Sequence, residues 1–123
     1  MNWFAKKTVV VPVDFSEQSF AAVEIALDAV HDPSELHVIH VLPVLTGTDL
    51  VAGWDGPDDQ MRQQAVEAVL RQRLDNAKYR DVNIVVAFGD PGQEIAAYAE
   101  QVHAELIVLP SHGRTGLKRL LIG

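Results

Sequence analysis

The chain has 123 residues, and its 10 Lys and Arg against 17 Asp and Glu give a formal net charge of −7. That length suits one domain, and the acidic balance argues against non-specific nucleic-acid binding, which needs clustered positive charge. The absence of cysteine excludes disulfide scaffolds, thiolate zinc sites and cysteine nucleophiles. No apolar run approaches the ~18 residues of a membrane span, and no signal-peptide cleavage site follows the N-terminal lysines. These features predict a cytoplasmic protein with no membrane span and no nucleic-acid partner.

Four apolar runs alternate with helical patterns. The predicted strands are Thr8–Val13, Leu36–Val41, Val82–Ala87 and Leu106–Leu109. The predicted helices are Glu17–Val30, Asp58–Tyr79, one capped by Asp90 with Pro91 at its first position, and Leu117–Ile122. Such alternation predicts an α/β fold: a doubly wound, open parallel sheet in the order 3-2-1-4 with helices on both faces. Since no fifth strand follows the last helix, we expect a single domain over residues 1–123 that is truncated at its C-terminal end.

Apolar residues recur at helical spacing within three of the predicted helices and indicate their buried faces. The predicted stripe of the first helix is Phe20, Val23, Leu27 and Val30. That of the second is Val66, Leu70, Leu74 and Ala77. That of the third is Ile95, Ala96, Ala99 and Val102.

The stretch Val44–Asp59 is predicted to be a loop. It holds three glycines and four aspartates, and Trp54 is its only large anchor. Because little apolar material ties it down, we expect it to be the most mobile internal segment.

The histidines do not show the spacing of a metal site. His37 and His40 are three residues apart on a predicted strand, so their side chains point to opposite faces of the sheet. Packing or surface roles suit both better than metal ligation. His112 lies in a glycine-containing loop and is either a donor to a ligand or a solvated loop residue. No catalytic group and no metal ligand is assigned.

The best candidate for a ligand site lies where the strand order reverses, at the carboxyl ends of the first and fourth strands. Asp14 follows the first strand and Ser111–Gly116 follows the fourth. Glycine lets backbone amides approach a phosphate, and Asp14 is placed to accept hydrogen bonds from a ribose hydroxyl. Plainer interpretations stay open: a Gly-x-x-Gly spacing occurs in many surface turns, and Asp14 is also suited to capping a turn.

Three segments together resemble the universal stress protein family. They are Val11–Ser16 (VPVDFS), Leu36–Val41 with Pro43, and Ser111–Gly123. The family's loop is written G-x-x-G, nine residues, then G and Ser or Thr. Gly113 and Gly123 match its second and third glycines, whereas Pro110 replaces the first. The residue expected after Gly123 is absent.

The resemblance implies an adenine-nucleotide alpha-hydrolase-like fold that binds ATP, with Mg²⁺ as a candidate companion. It implies that Asp14 contacts the ribose or adenine, that the Val41 backbone reads the adenine edge, and that Ser111–Arg114 with Gly123 wraps the phosphates. The full set of candidate nucleotide-binding residues is Pro12, Val13, Asp14, Val41, Gly89, Ser111, His112, Gly113, Arg114, Gly116 and Gly123.

Three functions are compatible with the resemblance. The first is an ATP-binding sensor or regulator that acts through a partner and forms a homodimer at full length. The second is a family member that binds no nucleotide and acts by dimerisation, which Pro110 favours because proline offers no amide donor. The third is a weak ATP-hydrolysing enzyme. We expect the first, since Asp14, Gly113 and Gly123 are retained.

Overall fold

The computed structural model describes residues 8–44, 59–111 and 116–121. The strands in these ranges are β1 (Val9–Pro12), β2 (Leu36–Leu42), β3 (Asn83–Phe88), β4 (Leu106–Ser111) and β5 (Gly116–Leu121). The α-helices are α1 (Glu17–Ala29), α2 (Asp59–Arg73) and α3 (Pro91–Gln101), and short 3-10 turns occupy Pro33–Glu35 and Ala77–Tyr79. Among these helices, none combines the length and apolar character required to cross a bilayer.

The strands form one sheet in the order β3-β2-β1-β4-β5. β1 to β4 are mutually parallel, which confirms the predicted order 3-2-1-4. The central strand β1 carries Val9, Val10 and Val11, all completely buried. This continuous apolar run is typical of a parallel strand covered on both faces.

Helices cover both faces of the sheet, as predicted. Val9 and Val11 pack with residues of α1 and α2 on one face, whereas Val10 packs with Ala99 of α3 on the other. Side chains of β2 alternate in the same way, because Val38 joins the first cluster and Ile39 the second. The domain therefore has three layers, with the sheet in the middle.

The helix starts follow the predicted capping residues. The Ser16 hydroxyl accepts the Ser19 N–H at the start of α1, and the Asp90 carboxylate accepts the Gln93 N–H at the start of α3. In α3 the predicted stripe is wrong at Ala96, which is exposed. Tyr98 packs in that stripe instead, together with Ile95, Ala99 and Val102.

The second helix is shorter than Asp58–Tyr79. It ends at Arg73, and a separate 3-10 turn follows over Ala77–Tyr79. The Asn76 side chain accepts the Lys78 N–H at 3.2 Å. Asparagine competes in this way with helical backbone hydrogen bonds and starts a new turn.

The prediction for the last segment is wrong. Gly116–Leu121 forms β5, antiparallel to β4, and not the expected helix Leu117–Ile122. The edge of β4 is therefore paired, and a fifth strand is present. An open strand edge exposes a row of backbone donors and acceptors, and pairing with them overrides the helical spacing of the leucines. Most of the predicted loop Val44–Asp59, including Trp54, lies outside the described residues.

Candidate functional site

A cavity of about 280 Å³ lies at the carboxyl ends of β1, β2 and β4. Its lining consists of Pro12, Val13, Asp14, Ile39, His40, Val41, Pro91, Ile95, Leu109 and Pro110. The cavity exists because β1 pairs with both β2 and β4 and is the shortest of the three. The chain turns away after Pro12, which leaves a crevice between the longer neighbours. This is the switch point at which open α/β sheets bind ligands.

The structure brings four of the candidate residues together around this cavity: Pro12, Val13, Asp14 and Val41. Ser111 follows the lining residue Pro110 and pairs with Gly116 at the top of the β4–β5 hairpin. Gly89 lies just after β3, and its N–H donates to the Leu42 carbonyl at 2.9 Å. The remaining candidates, His112, Gly113, Arg114 and Gly123, lie outside the described residues.

The main chain of Val41 faces the crevice side of β2. The Val13 N–H donates to the Ile39 carbonyl at 2.8 Å, so the polar groups of Ile39 face β1. Main-chain groups two residues apart face the same side of a strand, and those of Val41 therefore point the same way. The β1–β2 ladder ends at the Pro12–Ile39 pair. The Val41 N–H and carbonyl consequently lie beyond the reach of the β1 ladder.

A network of short-range hydrogen bonds holds Asp14. Its carboxylate oxygen Oδ1 accepts the Ser16 N–H at 3.0 Å, and its own N–H donates to Ser19 Oγ at 3.3 Å. Ser19 is fully buried and donates in turn to the Ser16 carbonyl at 2.9 Å. The carboxylate is thus tied to the first turn of α1 at the rim of the cavity. A carboxylate fixed in this way is an acceptor for hydroxyl groups of a ligand.

His40 is a lining residue to which sequence reasoning assigned no part in the site. Its Nδ1 lies 2.7 Å from the Val13 carbonyl, and its ring meets Phe15 edge-on at 4.9 Å. His37, by contrast, meets Tyr98 on the opposite face of the sheet, which confirms that the two histidines diverge. The alternation of side chains along the strand predicted that His37 and His40 lie on opposite faces. It could not predict the contact of His40 with Val13, because the two residues are 27 positions apart in sequence.

The other lining residues that sequence reasoning missed are mainly apolar. They are Ile39, Pro91, Ile95 and Leu109, while Pro110, which the family pattern placed at its first glycine, also lines the cavity. The apolar spacing of α3 and of the strands marked most of these positions as core, and nothing in that spacing distinguishes a core wall from a cavity wall. Prolines at three places leave those parts of the wall without an N–H donor.

The ends of β2 and β3 are held together beside the cavity. Arg62 of α2 donates from Nη2 to the Pro43 carbonyl at 2.9 Å, and its guanidinium lies 5.4 Å from the centre of the Phe88 ring. Asp59 accepts from Nη1 at 3.2 Å. The first turn of α2 therefore fixes the strand end that carries Val41.

The lining suits binding better than covalent chemistry. Aliphatic and proline side chains fit a flat, weakly polar ring, while main-chain groups and the Asp14 carboxylate lie at the edge. Within residues 8–44, 59–111 and 116–121, no cluster of three His, Asp or Glu side chains is arranged to hold a metal ion.

The comparisons with known proteins agree with this architecture. The model of the universal stress protein family matches residues 6–123. The chain belongs to the universal stress protein family. Universal stress protein MJ0531 of Methanocaldococcus jannaschii is 27% identical over 121 residues, which covers 95% of this chain and 71% of that protein. Universal stress protein YxiE of Bacillus subtilis is 29% identical over 127 residues, covering 94% and 85%.

The fold of this universal stress protein is also that of solved relatives. The structure of UspA from Lactobacillus plantarum superimposes with a TM-score of 0.59 at 19% identity, covering 90% of this chain and 81% of that one. At that identity the similarity establishes the fold. It confirms the expected doubly wound α/β fold.

Proposed function

We propose that this domain binds ATP in the cavity beside β1 and acts as a regulator rather than as an enzyme. The single observation that carries the proposal is the juxtaposition of Asp14 and the Val41 main chain around one apolar crevice. In this arrangement the adenine lies between the aliphatic walls, its edge meets Val41, and the ribose meets Asp14.

The chemistry of the two groups supports adenine in particular. A main-chain N–H and carbonyl on one residue offer one donor and one acceptor. The adenine edge presents a ring nitrogen that accepts and an amino group that donates, which is the complementary pair. Guanine presents a carbonyl oxygen in place of that amino group. We therefore expect ATP to bind more tightly than GTP.

The phosphates are assigned to the loop that follows β4. Ser111, His112, Gly113, Arg114, Gly116 and Gly123 are the residues that the family pattern nominates for this part of the ligand. Mg²⁺ would enter as the companion of the phosphates. Pro110 lines the cavity but has no N–H, so the base and ribose carry a large share of the affinity.

Two alternatives remain as competing proposals. A family member that acts only through dimerisation would leave the cavity empty in solution. A weak ATP-hydrolysing enzyme would need a group that activates water, and among the described lining residues Asp14 is the carboxylate. Its oxygen Oδ1 already accepts the Ser16 N–H at 3.0 Å, which suits the role of a fixed hydrogen-bond acceptor.

Calorimetric titration tests the proposal. We expect ATP to bind the native protein, and Asp14→Ala to weaken it by about ten- to a hundred-fold, because a hydrogen bond to a charged group contributes ~1.5–3 kcal/mol. Glu24→Ala, which removes an exposed carboxylate from α1, is the matched control. Absence of heat at millimolar ATP would favour the dimerisation alternative, and phosphate release above a protein-free blank would favour the enzyme.

The regulatory part of the proposal is tested separately. If nucleotide controls a partner interaction, ATP should change the association of the protein. Light scattering with and without saturating ATP measures whether a homodimer forms or dissociates. An unchanged mass at all nucleotide concentrations would confine the regulation to a partner other than a second copy of this chain.

A further inference from the structure

A side chain of the neighbouring strand β2 contacts the turn that carries Asp14. His40 Nδ1 lies 2.7 Å from the carbonyl oxygen of Val13. Because a carbonyl only accepts hydrogen bonds, Nδ1 is the nitrogen that carries the proton. His40 therefore donates to the residue immediately before Asp14.

The same imidazole also contacts the residue immediately after Asp14. Its ring meets the Phe15 ring at a centroid distance of 4.9 Å and an interplanar angle of 72°. Phe20 of α1 contacts the Phe15 ring at 6.0 Å, also edge-on. These are favourable arrangements for aromatic pairs.

Phe15 needs this support because its backbone is strained. Its φ is +66°, in the left-handed region that bulky residues seldom occupy. Such a conformation persists only where surrounding contacts impose it. The strained residue directly follows Asp14, so its conformation sets the path of the chain on which the carboxylate is carried.

Asp14 thus lies between two points that His40 holds. On one side is the hydrogen bond to the Val13 carbonyl, and on the other is the ring contact with Phe15. We propose that His40 is a positioning residue of the cavity. It orients the Asp14 carboxylate toward a ligand that carries adjacent hydroxyl groups, and so sets a preference for ribonucleotides over 2′,3′-dideoxynucleotides.

This inference rests on the proposed function, since it concerns the ribose end of the same site. It predicts an effect on selectivity and not merely on affinity. A loss of protein stability alone would weaken the binding of ATP and of 2′,3′-dideoxy-ATP to the same extent. A misplaced Asp14 weakens the binding of ATP alone, because the dideoxy sugar has no hydroxyl that could donate a hydrogen bond to the carboxylate.

Two substitutions separate the two contacts of His40. His40→Asn keeps an N–H donor near the place of Nδ1 but removes the ring that supports Phe15. His40→Phe keeps a ring but removes the donor to Val13. His37→Phe is the matched control, because it makes the same change on the same strand and removes a comparable contact, that with Tyr98, on the opposite face of the sheet.

The experiment is calorimetric titration of each protein with ATP and with 2′,3′-dideoxy-ATP. In the native protein we expect ATP to bind about ten- to a hundred-fold more tightly than the dideoxy analogue. Both His40 variants should reduce that ratio by at least about five-fold and change the dideoxy affinity by less than about two-fold. His37→Phe should keep the native ratio.

The outcomes distinguish the inference from the function on which it rests. If the native protein binds neither nucleotide, the proposed function fails. If it prefers ATP but both His40 variants keep the native ratio, the positioning role is wrong and ATP binding stands. Thermal melting by circular dichroism shows which variants are folded, and if His40→Phe is not, His40→Asn decides the question alone.

Discussion

The hydroxyl of Tyr98 and Nδ1 of His37 lie 2.6 Å apart, so a hydrogen bond joins α3 to β2 across one face of the sheet. Burial lowers the pKa of His37 from its ordinary value of 6.5, because the charged imidazolium loses solvation. Burial also raises the pKa of Tyr98. Both shifts favour the neutral pair at physiological pH.

The lowered pKa of His37 predicts a loss of stability in mild acid. The unfolded chain takes up a proton near pH 6.5, before the folded protein does, so stability present above that pH is lost as the pH falls toward the folded pKa. Thermal melting between pH 7.5 and 5 should show a shallower decline in His37→Asn, which cannot titrate. His31→Asn, an exposed control, should keep the native slope, and equal slopes for native and His37→Asn would contradict the prediction.

His103 closes α3 in a conformation that glycine adopts more easily. Its φ is +56°, its N–H donates to the Glu100 carbonyl, and the next N–H, from Ala104, donates to Ala99 at 2.8 Å. This is the Schellman arrangement, in which glycine usually stands at the left-handed position. We expect His103→Gly to stabilise the domain by about 0.5–1 kcal/mol, the relieved strain exceeding the added chain entropy.

Urea unfolding measures this gain, and His103→Ala provides its control. Alanine keeps the Cβ atom that makes the left-handed conformation unfavourable, so its midpoint should stay near or below that of the native protein. A glycine variant no more stable than the alanine variant would show that the backbone strain at this position is negligible.

Gly89 and Gly92, which flank the first residue of α3, should respond oppositely to substitution by alanine. Gly89 has a φ of +134°, and a Cβ there would lie 3.2 Å from Glu94 side-chain atoms. We expect Gly89→Ala to destabilise the protein by about 1–3 kcal/mol. Gly92 lies in the first turn of α3, where the nearest atom to an added Cβ, within the part of the chain that the structure describes, is Asp90 Oδ2 at 3.5 Å. Gly92→Ala should be neutral or stabilising by up to about 1 kcal/mol, and a common sign for both changes in chemical denaturation would argue against this account.

Arg62 should matter more to stability than an ordinary surface arginine. Only 15% of its side chain is exposed, and it joins the first turn of α2 to the Pro43 carbonyl. Arg62→Ala should cost about 1–3 kcal/mol, because the hydrogen bonds are made by a charged group and the stem packs near Phe88. Arg71→Ala, at an exposed position of the same helix, should change the unfolding midpoint little. Equal midpoints for the two variants would mean that the Pro43 contact contributes nothing.

The parts of the fold that could be predicted from sequence are those with strong local signals. The buried valines of β1 and the Asp90–Pro91 helix start each have a residue-level cause, and the alternation of elements then limits the strand order. The segment Gly116–Leu121 was not predictable in this way. Its leucine spacing is compatible with a helix, and the free edge of β4, a tertiary feature, decides its conformation.

The candidate site was predicted in the same uneven way. Asp14 follows from its place after the first strand, the Val41 backbone was implied only by the family resemblance, and both residues line the cavity. The part played by Phe15 was not predictable, because residue propensities disfavour an aromatic side chain at positive φ. His40 was also missed, since its contacts join segments remote in sequence.

The three prolines of the cavity wall determine how ligand entry can be observed. Pro12, Pro91 and Pro110 have no amide proton, so an amide NMR spectrum contains no signal from these wall positions. The amides of Val13 and Val41 become the natural reporters beside them. Of the two, Val13 already donates within the sheet, whereas the Val41 amide lies beyond the end of the β1 ladder. Chemical-shift mapping of ligand entry therefore relies on the lining residues that keep an amide, and among these the Val41 amide lies past the last pair of the β1–β2 ladder.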